Sequence, residues 1–345
     1  MRLLFASAYP YWPDNTSGRE TSAHALALRL QRHGIAVAVF AGMSQHALAA
    51  SPRTLVMRDE TLGYPVFRVR EPLLSYNDVL AEFRPDVAIL PFHAPVMPLA
   101  TLGMNAGVRT ALLVTSVDTV AAALNPIQRP EMLLLACSPF VARRMEALHG
   151  FRPPVTLPLV EPDRYRVESG GDAVVMVNPT LLKGIEIFFR LAEARPNLRF
   201  IAVESWNISD DWRLTLSNRA RALGNVELWP SAVDMRPAYA RARVVLMPSV
   251  HEETYGRVVA EAQVSGIPAL CSDRGALPET GGEGALTVDI DAPFDAWRAA
   301  LDRIREPGTH RALSAAARRE AARPERRPDA IVDDLLRVLE TFRAG

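Results

Sequence analysis

Short apolar runs alternate along the chain with stretches whose apolar residues recur every three or four positions. Residues 2–7 form one such run and predict a strand. Residues 20–33 carry Ala23, Leu26, Ala27 and Leu30 at helical spacing and end at Gly34, which predicts a helix. The pairing repeats, with strands expected over 36–40, 66–70, 87–90, 110–115 and 133–137. Helices are expected over 77–83 and 139–149, the second closed by Gly150. Residues 150–172 break the rhythm with Pro153-Pro154, Pro158, Pro162 and Gly170-Gly171, the composition of a linker. A second alternation follows, with strands over 173–177, 199–203, 226–228, 244–247 and 268–271. Its helices fall at 184–195, 211–223, 235–241, 256–265 and 293–305. The tail at 329–342 is helical, with Ile331, Leu335, Leu336 and Leu339 on one face. Alternation of this kind predicts an α/β protein with mostly parallel sheets covered by helices on both faces.

Length turns this pattern into a domain count. The 345 residues exceed what one ordinary α/β core fills, so two Rossmann-like, doubly wound domains are expected. The boundaries are read as 1–160 and 161–328, with a C-terminal helix over 329–345 that packs back on the first domain. Charge then removes one class of function. The 39 basic and 39 acidic residues cancel, which argues against nucleic acid as a partner. No apolar stretch approaches the ~20 residues of a membrane span, and the N-terminal run is too short for a signal peptide. Two distant cysteines, Cys137 and Cys271, predict free buried thiols and a cytoplasmic protein. Residues 318–327 read as a solvated charged connection.

In open parallel sheets ligands bind beyond the carboxyl ends of the strands, so the loops that follow strands hold the candidate chemistry. The most informative runs from Pro248 to Ala262 and contains Glu253, Tyr255, Gly256, Arg257, Val258 and Glu261. Backbone N–H groups at the helix start suit a phosphate, and the two carboxylates suit hydroxyls. Glu261 lies among Val258, Val259, Ala260, Ala262 and Val264, where an unpaired carboxylate is costly. A second loop, Asn178-Pro179-Thr180-Leu181-Leu182-Lys183-Gly184, places a cation at a helix start. Lys183 is the only lysine in a chain that otherwise uses arginine, which suggests a place for a compact ammonium. The third loop, Ser17-Gly18-Arg19-Glu20, is a small-residue turn after the first strand.

At these residues the chain resembles family 4 of the retaining glycosyltransferases. Glu253 and Glu261 match that family's Glu-x7-Glu, within a family-like run of some thirty residues that continues through Ser272-Asp273-Arg274-Gly275. Ser17-Gly18-Arg19-Glu20, Cys137-Ser138-Pro139, Lys183-Gly184 and Gly224-Asn225-Val226 extend the resemblance over nearly the whole chain.

The resemblance implies the GT-B fold, two Rossmann-like domains facing a central cleft. The first is the acceptor side and the second binds the nucleotide sugar. It implies retaining, metal-independent transfer from a nucleoside-diphosphate sugar to an acceptor, with no cofactor. Glu253 then holds the donor sugar, Lys183 the phosphates, and the Tyr255–Val258 backbone the diphosphate. Glu261 holds the ribose, Asn225 edges the base, and Gly18 approaches the diphosphate from the acceptor domain. His93 resembles the histidine that the family places near the donor sugar; a loop histidine without a ligand is the alternative.

Two departures stand out. One glycine replaces the usual pair at Gly18, and Asn178-Pro179 stand where an arginine usually precedes the lysine, leaving Arg257 as a substitute phosphate contact. Asp289-Ile290-Asp291 matches a metal signature of a different architecture and is read as a solvated loop. A sugar-nucleotide epimerase and a non-catalytic nucleotide-sugar-binding subunit remain the alternative functions. A small metabolite or natural product is the expected acceptor.

Overall fold

The structure, a computed structural model, describes residues 1–51, 53–92, 96–117, 131–168, 170–204 and 208–344. They divide into two compact units, Met1–Leu159 with Pro328–Gly345, and Val160–Arg327.

Unit 1 holds β1 (Arg2–Ala6), β2 (Ala36–Gly42), β3 (Val56–Asp59), β4 (Val66–Val69), β5 (Val87–Phe92), β6 (Arg109–Val114) and β7 (Met132–Ala136), in the order β3-β4-β2-β1-β5-β6-β7. Every pairing is parallel except β3 with β4. Successive residues of β1 face opposite sides of the sheet, as the strand period requires. Leu4 and Ala6 join the core under helices Pro72–Phe83, Val96–Asn105 and Pro139–His149. Leu3 and Phe5 join the core under helix Gly18–Arg32. Helix Pro328–Ala344 seals that second face with Ile331, Val332, Leu335 and Leu339.

Unit 2 contains β8 (Ala173–Val177), β9 (Phe200–Val203), β10 (Val226–Trp229), β11 (Ala242–Met247), β12 (Ala269–Ser272) and β13 (Ala285–Val288). Their order is β10-β9-β8-β11-β12-β13, and all pairings are parallel. The chain therefore winds outward from β8 in one direction and from β11 in the other. The sheet's switch point lies between these two strands, which is where ligands bind in such sheets.

The structure corrects several readings of the sequence. Strand β3 and helices Gln45–Ala50, Val96–Asn105 and Pro307–Ala321 were not expected. The charged stretch at 318–327 is mostly exposed, as expected, but it begins inside helix Pro307–Ala321 and two of its charges turn inward. Glu320 is buried and pairs with Arg323 at 2.8 Å, and Arg326 is half-buried beside it. Arg326 donates to Gln263 Oε1 (2.9 Å) and to the carbonyls of Glu279 and Thr280. Pairing and carbonyl contacts offset the desolvation of these charges.

Candidate active site

Three glycines set the geometry of the unit 2 site. Gly184 has φ +78°, and a Cβ there would lie 1.9 Å from the Pro248 carbonyl oxygen. This close approach lets the loop after β8 lie on the loop after β11, and the Val250 N–H donates to Leu182 O at 2.9 Å. Gly275 has φ +65°, and its Cβ would lie 2.1 Å from the Glu253 carbonyl oxygen. That carbonyl accepts from the Ala276 N–H at 2.7 Å, so the backbone of Glu253 is held from β12's side. Gly256 has φ +86° and caps helix Arg257–Gln263, with Leu277 filling the space a side chain would need.

These contacts bring Lys183 and Glu253 together across 70 residues of sequence. Lys183 Nζ donates to Glu253 Oε1 at 2.5 Å, Ser249 Oγ to the same oxygen at 2.6 Å, and His251 Nε2 lies 3.0 Å from it. Glu253 is buried, Lys183 is 21% exposed, and Ser249 is fully buried with its carbonyl bonded to Ser272 Oγ. Sequence alone implies phosphate for Lys183 and sugar for Glu253, and carries no sign that the two pair. Ser249 and His251 lie inside the Pro248–Ala262 run, where nothing in the local pattern marks them.

Glu261 heads a second cluster. Its carboxylate lies 2.7 Å from Arg257 Nε and accepts from the Tyr239 hydroxyl at 2.6 Å. Burial, then the charge of Glu261, pushes the Tyr239 hydroxyl well above its ordinary range, so it stays a donor. Arg257 Nη2 donates to the Tyr165 hydroxyl at 2.9 Å. The guanidinium is thus buried against Glu261 and Tyr165, where sequence leaves it as a substitute phosphate contact. Tyr255 is buried, its carbonyl taken by Thr280 Oγ1, and Val258 is partly buried in the first turn of the helix. No sequence signal marked Tyr165 or Tyr239, which reach the cluster from distant segments.

Two expected residues are committed to other partners, and a third falls outside the described residues. Asn225 precedes β10 and so stands at the amino end of the sheet. Its side-chain nitrogen donates to the carbonyls of Ala192, Arg195 and Leu198, closing the end of helix Ile185–Ala194. This corrects its assignment to the base. Gly18 opens its helix in unit 1, where the buried carboxylate of Glu20 already occupies the first turn. Glu20 accepts from Ser17 Oγ and pairs with Arg19 at 2.6 Å, so the positive helix end has an internal partner. His93 lies outside the described residues.

Asp289 and Asp291 are exposed; Asp289 accepts from the Asp291 N–H, and Asp291 pairs with Arg274 at 2.7 Å. Among the described residues, no group of three His, Cys, Asp or Glu side chains could hold a metal. Both cysteines are buried, and neither is in a disulfide. Burial, with the charge of Glu253 adding to it, pushes the Cys271 thiol up to about 12, far from a reactive thiolate. Among the described residues, no helix is long and apolar enough to cross a membrane.

The close approach at Gly184 makes a measurable demand. Gly184→Ala is expected to destabilise the protein by at least about 2 kcal/mol, because left-handed strain and a backbone clash add. Gly34→Ala has the same kind of φ (+74°) but open space around it. It is expected to cost only about 1 kcal/mol. Urea unfolding of the two variants separates the terms; equal losses would mean that the clash is absorbed.

Comparison with known proteins agrees with this geometry. Residues 182–306 match the model of the family described as Glycosyl transferases group 1. The chain is 27% identical over 299 residues to the D-inositol 3-phosphate glycosyltransferase of Mycobacterium marinum, covering 79% of this chain and 60% of that protein. It is 28% identical over 131 residues to the protein of the same name from Segniliparus rotundus, covering 35% and 29%. The chain thus spans less than two thirds of the curated relatives it matches. Among solved structures, sucrose-phosphate synthase of Thermosynechococcus elongatus superposes with a TM-score of 0.80 at 15% identity, covering 100% of this chain and 99% of that one. Anabaena HepE in complex with UDP and glucose gives 0.79 at 16% identity, covering 99% and 100%.

Proposed function

We propose that this chain, a GT-B protein whose residues 182–306 are a group 1 glycosyltransferase domain, moves a sugar from a nucleoside-diphosphate donor to an acceptor hydroxyl with retention of configuration and without a metal ion. The observation that carries this reading is the meeting of Lys183 and Glu253 at the switch point between β8 and β11. A cation and a carboxylate side by side there match the two halves of a sugar diphosphate. The ammonium neutralises charge on the leaving phosphate, and the carboxylate accepts from sugar hydroxyls.

In the reaction, the acceptor oxygen bonds to the anomeric carbon as the bond from that carbon to the phosphate oxygen breaks. The departing phosphate takes the acceptor's proton on the same face of the sugar. The protein's work is placement and charge stabilisation, chiefly by Lys183 and the Tyr255–Val258 backbone. Glu261 accepts from the ribose hydroxyls. Arg257 and Tyr239 fix its orientation and leave lone pairs on both oxygens. The D-inositol 3-phosphate named for the curated relatives and the UDP and glucose bound to HepE fit a nucleotide-sugar donor and a small polar acceptor.

Product analysis tests the reading. The expected result is a glycosylated product only when acceptor is added, with the donor's anomeric configuration, and undiminished by a chelator. A donor epimer formed without acceptor makes the protein an epimerase, and no turnover of any donor makes it a binding subunit. Activity lost to a chelator and restored by magnesium brings Asp289 and Asp291 back as ligands.

Glu261→Ala is expected to weaken binding of the free nucleoside diphosphate by about 1–3 kcal/mol, the scale of a hydrogen bond to a charged group. Calorimetric titration reads this directly, and unchanged affinity in a folded variant removes the ribose role.

A further inference from the structure

Oε1 of Glu253 is crowded. Lys183 Nζ, Ser249 Oγ and His251 Nε2 all converge on it, at 2.5, 2.6 and 3.0 Å. A carboxylate oxygen offers about two lone-pair directions, so three donors exceed its capacity. All three of these contacts fall on Oε1 and not on Oε2. The surplus has a consequence once a diphosphate is present, because a phosphate oxygen competes with Glu253 for the one mobile ammonium. Lys183 is the donor able to leave, since it sits on a long flexible stem and is 21% exposed. Ser249 is locked by its own buried backbone, and His251 is only two residues from Glu253 on the same loop. The backbone of Glu253 is already fixed by the Gly275–Ala276 contact. What remains to be determined is the carboxylate's rotation, and Ser249 and His251 determine it.

We propose that His251 is a positioning residue for the donor sugar. It holds Glu253 by Oε1 when Lys183 shifts to the diphosphate, and so keeps Oε2 directed at the sugar hydroxyls. The assignment rests on the glycosyltransferase reading of the site. It separates two functions that the Lys183–Glu253 pair merges. Lys183 serves the phosphates, while His251 serves the sugar through Glu253 and leaves the nucleotide untouched. Because the imidazole is one-third exposed, its replacement disturbs packing little.

The test uses the full chain with His251→Ala and His251→Gln. The glutamine amide nitrogen can donate where the imidazole Nε2 does. UDP, GDP, ADP and TDP, each with its glucose ester, are titrated into the parent, and the pair that binds is carried forward. For His251→Ala, the dissociation constant of the nucleotide glucose is expected to rise about 10-fold, while that of the free nucleoside diphosphate changes less than about twofold. His251→Gln is expected to return to within about threefold of the parent. Equal effects on both ligands, no effect on either, or a glutamine variant as poor as alanine overturns the assignment. If no nucleotide binds the parent, the glycosyltransferase reading itself falls, and the assignment with it.

Discussion

Lys183→Ala is expected to lower turnover by about 100-fold or more, and Lys183→Arg by at least ~10-fold although it keeps the charge. The alanine variant removes the cation that neutralises the leaving diphosphate and leaves the buried Glu253, among the described residues, to Ser249 and His251. The arginine variant tests shape. Lys183 Nζ fits within 2.5 Å of one carboxylate oxygen, beside a turn where Gly184 lies against the Pro248 carbonyl. A planar guanidinium is wider than an ammonium and prefers two parallel contacts. In this space it pushes the diphosphate out of register, and a misplacement of about 1 Å can cost ~100-fold. Steady-state kinetics with the cognate donor measure both variants. An arginine variant as active as the parent would make the lone lysine an accident of composition.

Glu253→Gln carries the same kind of expectation for rate and a separate one for binding. The amide nearly preserves the carboxylate's shape but is a weaker acceptor for sugar hydroxyls and no longer pairs with Lys183. Turnover is expected to fall by about 100-fold, the scale of a charge interaction worth ~2.7 kcal/mol in the transition state. Affinity for the free nucleoside diphosphate is expected to hold or rise, because Lys183 no longer has to leave an ion pair to meet the phosphate. A fall in diphosphate affinity comparable with the fall in turnover would show that Glu253 serves the nucleotide and not the sugar.

Much of the fold is legible in the sequence because parallel strands covered on both faces read as unbroken apolar runs. The runs at 2–7, 87–90, 173–177 and 244–247 lie within a residue or two of β1, β5, β8 and β11. Strand β3 escaped because it lies at the sheet edge, with alternating exposed and half-buried residues and no apolar run. Helix Pro307–Ala321 escaped because it buries small and polar residues, Ser314, Ala316, Ala317 and Glu320, which leave no strong periodic signal.

The site divides in the same way. Glu253 and Glu261 share a local motif, and their spacing exposed them. The Lys183–Glu253 contact depends on β8 lying beside β11, a fact of topology that no local pattern carries. Asn225 was misassigned because a residue before a strand belongs to the opposite end of the sheet from the ligand. Its amide nitrogen is spent on three carbonyls of a neighbouring helix end.

The central claim is that the loops after β8 and β11 form a nucleotide-sugar site, and the most direct test is ligand-dependent stability of the parent chain. A nucleotide sugar present at 100 times its dissociation constant is expected to stabilise the fold by ~2.7 kcal/mol. A thermal-unfolding series across uridine, guanosine, adenosine and thymidine diphosphate sugars is therefore expected to show one base raising the transition well above the others. The free diphosphate of that base should reproduce part of the shift. No shift from any of them at millimolar concentration would contradict the account.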